Sequence, residues 1–254
     1  MNALKIIVLV FISSQVLWCQ EMEPIQTDRP DQTETPSLIP KNYLQIETGF
    51  SYEKDKFQNT IYTIPSTLWK YGVNERFELR LITEFTGAKN VDNITEFGLL
   101  PITVGIKTSL AEESGIWPKI SLLGHLSLSA LASENFKATF FAPAFRFTFQ
   151  NSLTDRLSVG YNLGAEWDGE SPQTIFIYTL ALGYSWTEKL ASYIELFGFA
   201  PEGNKMDHRL DFGLSYLIHP NYLVDLSSGV GISNSELKYY IATGFSFRFN
   251  TSTK

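Results

Sequence analysis

Cysteine is almost missing from this 254-residue chain: Cys19 is the only one, so no internal disulfide can form. Stability must come from hydrogen-bonded ladders and packing instead. Histidine is nearly as scarce, with only His125, His208 and His219, scattered and without an i,i+2 pair. A metal site built from imidazoles is therefore not expected. There is no Lys/Arg-rich run, and the formal net charge is −7. Nucleic acid and anionic lipid surfaces both require clustered cations, so neither is an expected partner. Long apolar runs are absent too: beyond the first twenty residues nothing approaches the ~18 apolar residues of a membrane-spanning helix. A helical membrane protein is excluded. A β-barrel is not, because alternation dilutes its apolar residues and leaves mean hydropathy near zero, where this chain stands at −0.06.

What is present begins with Lys5, an apolar run from Ile6 to Ile12, and then polar Ser13, Ser14 and Gln15. This order of charge, apolar stretch and polar region predicts a secretory signal peptide over residues 1–19, cleaved near Cys19 or Gln20. Trp18 is too large for the position before a lipidated cysteine, which disfavours a lipoprotein. Residues 20–42 hold Pro24, Pro30, Pro36 and Pro40 among polar residues, with neither a helical nor a strand period. They are expected to be an irregular segment.

From residue 43 the character changes to strict alternation. Leu44, Ile46, Thr48, Phe50 and Tyr52 oppose Gln45, Glu47, Gly49 and Ser51, and Leu157 to Trp167 and Leu210 to Ile218 repeat the pattern. A period of two is a strand signature, because successive side chains leave a strand on opposite faces. About twelve such blocks follow one another over residues 43–250. Tight turns are expected at Val73–Glu75, Ser152–Asp155, Thr187–Lys189 and His219–Asn221. Longer loops are expected at Glu53–Asn59, Gly87–Ile94, Leu131–Asn135, Asp168–Gln173, Pro201–Asp207 and Ser233–Leu237. The chain thus reads as hairpins, closed tightly at one end and looped at the other.

Periodicity alone does not say which face looks inward, since a soluble sandwich or lipocalin-like barrel alternates in the same way. Three features favour an apolar exterior. The blocks run to ~10 residues, the length of a tilted bilayer crossing. Aromatics such as Tyr52, Phe77, Phe85, Trp167, Tyr184, Trp186, Tyr222 and Phe249 recur at the ends of apolar faces, as interfacial girdles do. The opposite face is rich in Gly and Ser and carries charges of both signs at mid-strand. The expected fold is all-β: an antiparallel transmembrane β-barrel of about twelve strands.

In such a barrel the lumen would be lined by Glu47, Glu78, Arg80, Glu84, Lys107, Lys119, His125, Arg146, Glu166, Glu195, Arg209, Asp211, Asp225 and Arg248. Their mixed signs imply pairing across the lumen, because an unpaired charge in a narrow pore is costly. Spread over the sequence as they are, they forecast no strong ion selectivity. An even strand count puts residues 20–42 at the short-turn end, from which Asp28, Arg29 and Asp31 could pair with lumen charges such as Arg80 or Arg209 and plug the pore. A disordered linker is the alternative.

The segment TDRPDQTETP, Thr27 to Pro36, resembles the opening of an outer-membrane family labelled for the meta-pathway of phenol degradation (MetA-type). WKYGVNERFELRL (Trp69 to Leu81), Gly105 with Lys107, and DFGLSYLIHPNYLVDLSSGVGIS (Asp211 to Ser233) continue the likeness over nearly the whole chain after residue 26. The chain departs from it after Phe249, ending Asn-Thr-Ser-Thr-Lys where barrel chains often end on an aromatic. The resemblance implies an outer-membrane transporter-like barrel of a Gram-negative bacterium, moving small and often hydrophobic or aromatic compounds. It carries over no catalytic residue.

Enzyme signals are weak. His125 shares a face with Ser127 and Ser129, but a nucleophile also needs an orienting third group. That face would also line the lumen, whereas barrel lipases work on the outer wall. Gly229 and Gly231 precede no helix, so no phosphate loop is formed. No cofactor, metal or covalent chemistry is expected. The expected partners are outer-membrane lipid, a small solute and the outer-membrane assembly machinery. A non-conducting structural or adhesive barrel and a soluble exported β protein are the competing readings.

Overall fold

In the computed structural model, residues 23–92 and 94–252 are described. The expected signal peptide lies outside the described residues. The strands are β1 (Tyr43–Asp55), β2 (Thr60–Asn74), β3 (Phe77–Lys89), β4 (Thr95–Leu99), β5 (Ile102–Ala111), β6 (Lys119–Leu128), β7 (Ala142–Ser152), β8 (Leu157–Glu166), β9 (Ile175–Ser185), β10 (Leu190–Pro201), β11 (Asp207–His219), β12 (Tyr222–Ser233) and β13 (Leu237–Asn250). Each is antiparallel to its neighbours, and β1 pairs with both β2 and β13, so the sheet closes on itself. Closure leaves no open sheet edge along the staves between the two rims, where a bilayer would have to desolvate it.

Thirteen strands make twelve staves. β4 pairs with Phe85–Lys89 at one end of β3, and β5 pairs with Phe77–Ile82 at the other, so the two occupy one place in the wall. The break falls at Leu100–Pro101, where proline has no N–H to give to a ladder. The ladder to β6 stops at Ile102 and Leu128, so the far edge of β4 is not paired with β6. Ser133 instead donates its N–H to the Leu99 carbonyl at 2.9 Å, from an excursion between β6 and β7 that contains two 3-10 turns, Ser129–Leu131 and Glu134–Phe136. That loop is longer than its alternation suggests. The β1–β2 and β12–β13 loops are shorter, at residues 56–59 and 234–236, because the strands run on past the bilayer length.

Burial is inverted relative to a water-soluble sheet. Leu79, Phe147, Leu163, Leu180, Ile194, Phe212 and Ile241 are exposed, whereas Gln45, Glu47, Lys70, Glu78, Lys107, Asn162 and Glu195 are at most 1% exposed. A continuous apolar exterior of this kind needs an apolar solvent. At the short-turn end Tyr222, Phe245, Phe247 and Phe249 stack in sequence, and Tyr184 meets Trp186 edge to face. This is the girdle expected where amphipathic rings sit at the lipid boundary. Tyr43 and Asn250 are cross-strand partners at this same end, so both ends of the barrel chain meet there.

Candidate functional site

The polar face of the staves encloses a lumen, and residues 23–40 run inside it. The segment enters at the short-turn end, where the Ile25 N–H donates to the Pro220 carbonyl at 2.8 Å and Arg248 bonds the Glu23 carbonyl. It climbs to Arg29–Thr33, turns, and descends past Pro36, whose carbonyl accepts from Ser121 Oγ at 2.6 Å, to Ile39, whose N–H donates to Glu78 at 3.0 Å. It leaves at Asn42, which donates to the Gly72 carbonyl. Prolines keep this path out of regular structure, so its N–H groups must find partners on the wall. Asn162 serves Glu34 twice, accepting from its N–H at 2.7 Å and donating to its carbonyl at 3.0 Å.

Asp28 is the hub. Its Oδ2 accepts from Lys70 Nζ at 2.8 Å and Arg80 Nη1 at 2.9 Å, and its Oδ1 accepts from Lys107 Nζ and the Thr35 N–H, each at 3.0 Å. One carboxylate therefore ties the ascending limb to the descending limb and to β2, β3 and β5. Burial would raise its pKa, but the charges of Lys107, Lys70 and Arg80 outweigh burial and hold it well below the usual carboxylate range. Lys70 also meets Glu47 at 2.5 Å, and Arg80 meets Glu34 at 2.9 Å and Glu78 at 3.2 Å. Glu47 in turn accepts the N–H groups of Asp28 and Arg29.

Arg29 forms a two-pronged pair with Asp225, at 3.0 and 3.3 Å. Arg209, by contrast, is held by Asp207 on its own strand at 2.7 Å and lies over the Phe199 ring, so it does not reach the segment's acids. Asp31 meets no cation within 4.0 Å among the described residues. It faces Glu195 and Asp211; burial first, and then Glu195 and Asp211, push its carboxyl well above the usual range. Glu195 accepts the Gln32 N–H at 2.8 Å and the Thr33 hydroxyl at 2.5 Å. Asp211 accepts from Tyr193 at 3.3 Å and from Tyr240.

The other candidate positions also lie on the interior face. Arg146 bridges Glu166 at 3.1 Å and the Gln32 carbonyl at 3.4 Å, and Glu84 accepts from Thr63. Lys119 meets Glu112 at 3.4 Å at the short-turn mouth, and the His125 Nε2 is buried without a partner. Lys70 is the largest omission from the sequence reading. A register shift between Thr63 and Ser66, around Pro65, breaks the alternation of β2 and obscures its inward parity. Tyr193 and Tyr240 were hidden because aromatics read as exterior. Their parity, shared with Glu195 and Ala242, is the signal that places them inside.

Both tyrosines reach Asp211 by leaning over a glycine. Tyr193 stands opposite Gly213, and Tyr240 opposite Gly229, and a Cβ on either glycine would collide with the ring. Gly213→Ala should therefore cost ~1–3 kcal/mol of barrel stability by overpacking against the Tyr193 ring. Chemical unfolding in detergent checks this, and removing the ring with Tyr193→Ala in the same chain should recover part of the loss.

Two cavities flank the segment. One of about 370 Å³ opens toward the short-turn end between Ser185, Lys189, Tyr193 and Leu217. The other, of about 290 Å³, opens toward the long-loop end between Glu53, Glu84, Phe197, Arg209 and Tyr240. Arg29, Pro30 and Asp31 line both.

These features define a closed antiparallel twelve-stave barrel of the outer-membrane type with an occupied polar lumen. The chain belongs to the family described as "Putative MetA-pathway of phenol degradation", whose model matches residues 27–249. No curated protein sequence matches it. Among solved structures it is similar to an outer membrane channel from Pseudomonas putida F1, with TM-score 0.68 at 9% identity, over 84% of this chain and 97% of that one. The NanC porin aligns with TM-score 0.54 at 12% identity over 80% and 98%, and the KdgM porin with 0.51 at 15% over 80% and 99%. At these identities the likeness is one of fold.

Proposed function

We propose that the protein is an outer-membrane channel of a Gram-negative bacterium, exported by its N-terminal signal peptide, that passes small solutes passively past a plug made by residues 23–40. No covalent step is involved. One observation carries the reading: cavities enter the lumen from both ends, and both are lined by Arg29, Pro30 and Asp31. A barrel built solely as a scaffold has no need of a cavity at each end of its lumen. The rings of Tyr193, Phe197 and Tyr240 along the path offer a surface for a small aromatic or amphiphilic solute. A wholly apolar solute would have to desolvate Glu53, Glu84 and Asp31 as it passed.

The ion-pair network on Asp28 favours the second reading, a non-conducting barrel held shut by its own segment. Liposome swelling decides between them. Proteoliposomes bearing the full chain should admit small sugars or hydroxylated aromatics faster than protein-free vesicles. Absence of swelling with every solute class leaves the structural barrel.

A further inference from the structure

The ladder between β1 and β2 is interrupted at one height. Register shifts between Gly49 and Ser51 on β1 and between Thr63 and Ser66 on β2, so Phe50 has no partner on β2, and neither Ile64 nor Pro65 has one on β1. An irregularity of this kind bends its strand and increases the local twist. On the outer wall it leaves a groove of about 410 Å³ lined by Phe50, Tyr52, Ile64, Leu226, Ile241 and Thr243, with the small Thr243 standing opposite Phe50. Phe50, Ile64, Leu226 and Ile241 are exposed on this face, so the groove is apolar and continuous with the lipid-facing wall.

Further along the same staves, toward the long-loop end, stand three rings and then two cations. Tyr52 meets Tyr62 edge to face at 5.4 Å and Tyr239 at 6.1 Å. One outward position beyond them, Lys54 and Lys89 are both cross-strand partners of Thr60, two strand spacings or ~10 Å apart at their backbones. Among the described residues the lysine ion pairs are those of Lys70, Lys107, Lys119 and Lys137, and neither Lys54 nor Lys89 meets a carboxylate within 4.0 Å. Glu53 and Glu96 have the lumen-side parity, and Asp55 is held by Asn59 at 2.6 and 2.7 Å. No cationic cluster is visible in the sequence because the two lysines come from different strands; the ladder brings them into one row.

We propose that this column binds one lipid of the outer leaflet, a phosphorylated and multiply acylated glycolipid of the lipopolysaccharide class. An acyl chain lies in the groove, the sugar headgroup rests on Tyr52, Tyr62 and Tyr239, and its phosphates take Lys54 and Lys89. This rests on the outer-membrane reading above and not on passage. The leaflet follows from the direction of β1, which starts at the short-turn end with Tyr43 and reaches Lys54 at the long-loop end. From Phe50 to Lys54 is ~13 Å of strand, which sets acyl segment and phosphate at the two ends of one molecule. Unpaired ammonium groups at the edge of a lipid-facing wall attract anionic headgroups. Their separation suits a headgroup with two phosphates better than a phospholipid with one.

The test is native mass spectrometry of the full chain in detergent, titrated with bis-phosphorylated lipid A, its dephosphorylated form and phosphatidylglycerol. Lipid A should bind one per chain and ~10-fold or more tighter than either of the others. Lys54→Gln or Lys89→Gln should weaken it by ~5-fold, and the two together by ~25-fold, the factor expected for each ammonium near an anionic lipid. Thr243→Phe, which fills the groove, should weaken lipid A and its dephosphorylated form alike. The lysine variants sit at the rim and leave the wall intact, so they decide the matter should Thr243→Phe fail to fold. Equal affinity for phosphatidylglycerol overturns the proposal, as does lipid A binding that the double lysine variant retains. A lipid-free dimer that Thr243→Phe abolishes puts a second copy in the groove and overturns it too. Cell fractionation tests the membrane reading separately: a chain recovered outside the outer membrane removes that reading, whereas the ranking of lipids in detergent decides the site by itself.

Discussion

Asp28→Ala will release the N-terminal segment from the barrel: single-channel conductance in a planar bilayer should rise several-fold, and a glutamate-specific protease should cut after Glu34, whose N–H and carbonyl are held by Asn162 when the segment is docked. The substitution removes four hydrogen bonds at once, three of them from buried cations. Lys70 keeps Glu47, and Arg80 keeps Glu78 and Glu34, but Lys107 is left with only Glu34 at 3.5 Å and the Thr35 carbonyl. Breaking a buried pair from one side costs ~3–5 kcal/mol, because the stranded charge stays desolvated. That shifts the docked-to-released ratio on the order of a hundred- to a thousand-fold. Deleting residues 21–36 sets the upper limit of the conductance. If neither variant conducts more than the unaltered chain, the segment is not what limits passage.

The docked state should also persist in mild acid. Asp28 has its pKa lowered on docking, so its contribution is complete above ~4 and is lost only as pH falls through the lower docked value. Asp31 has its pKa raised, so its contribution is present at low pH and fades as pH rises through the docked value. Both therefore favour docking at pH 5. Resistance to cleavage after Glu34 should be no weaker there than at pH 7.

Leu180→Arg should destabilise the folded barrel in lipid by ~2–4 kcal/mol, measured by reversible chemical unfolding in vesicles. Leu180 is at the middle of β9, pointing outward and 49% exposed, with Tyr161 and Leu196 as its cross-strand neighbours. In water an exposed leucine is replaced by arginine at little cost. At bilayer mid-depth the guanidinium must be desolvated or must drag water and headgroups inward. A cost below ~0.5 kcal/mol in vesicles would place this face in water and remove the membrane assignment.

The class of fold was legible in the sequence because the strand period is local. Leu157 to Trp167 against Ser158 to Glu166 needs no knowledge of neighbours to be read as two faces, and the short turns are marked by their own polar residues. The break of the fourth stave was hidden, since Pro101 in an alternating stretch can be either a bulge or an end. Lys70 was hidden by the irregularity around Pro65, which shifts parity over the rest of β2.

Which charges meet could not be read in the same way. Arg29 and Asp225 are 196 positions apart, and Asp28 gathers partners from three strands because closure of the sheet brings β2, β3 and β5 around one point. The same list of mixed charges resolves into local clusters once the staves are ordered: Lys70, Arg80 and Lys107 around Asp28, Arg29 with Asp225, Arg146 with Glu166 and Arg209 with Asp207. The sequence by itself determined the strands, their two faces and the irregular segment ahead of them, since alternation and proline act over a few residues. Only the tertiary structure decided where that segment lies and which charge neutralises which, because Coulomb and hydrogen-bond energies depend on distances in space that closure of the barrel sets.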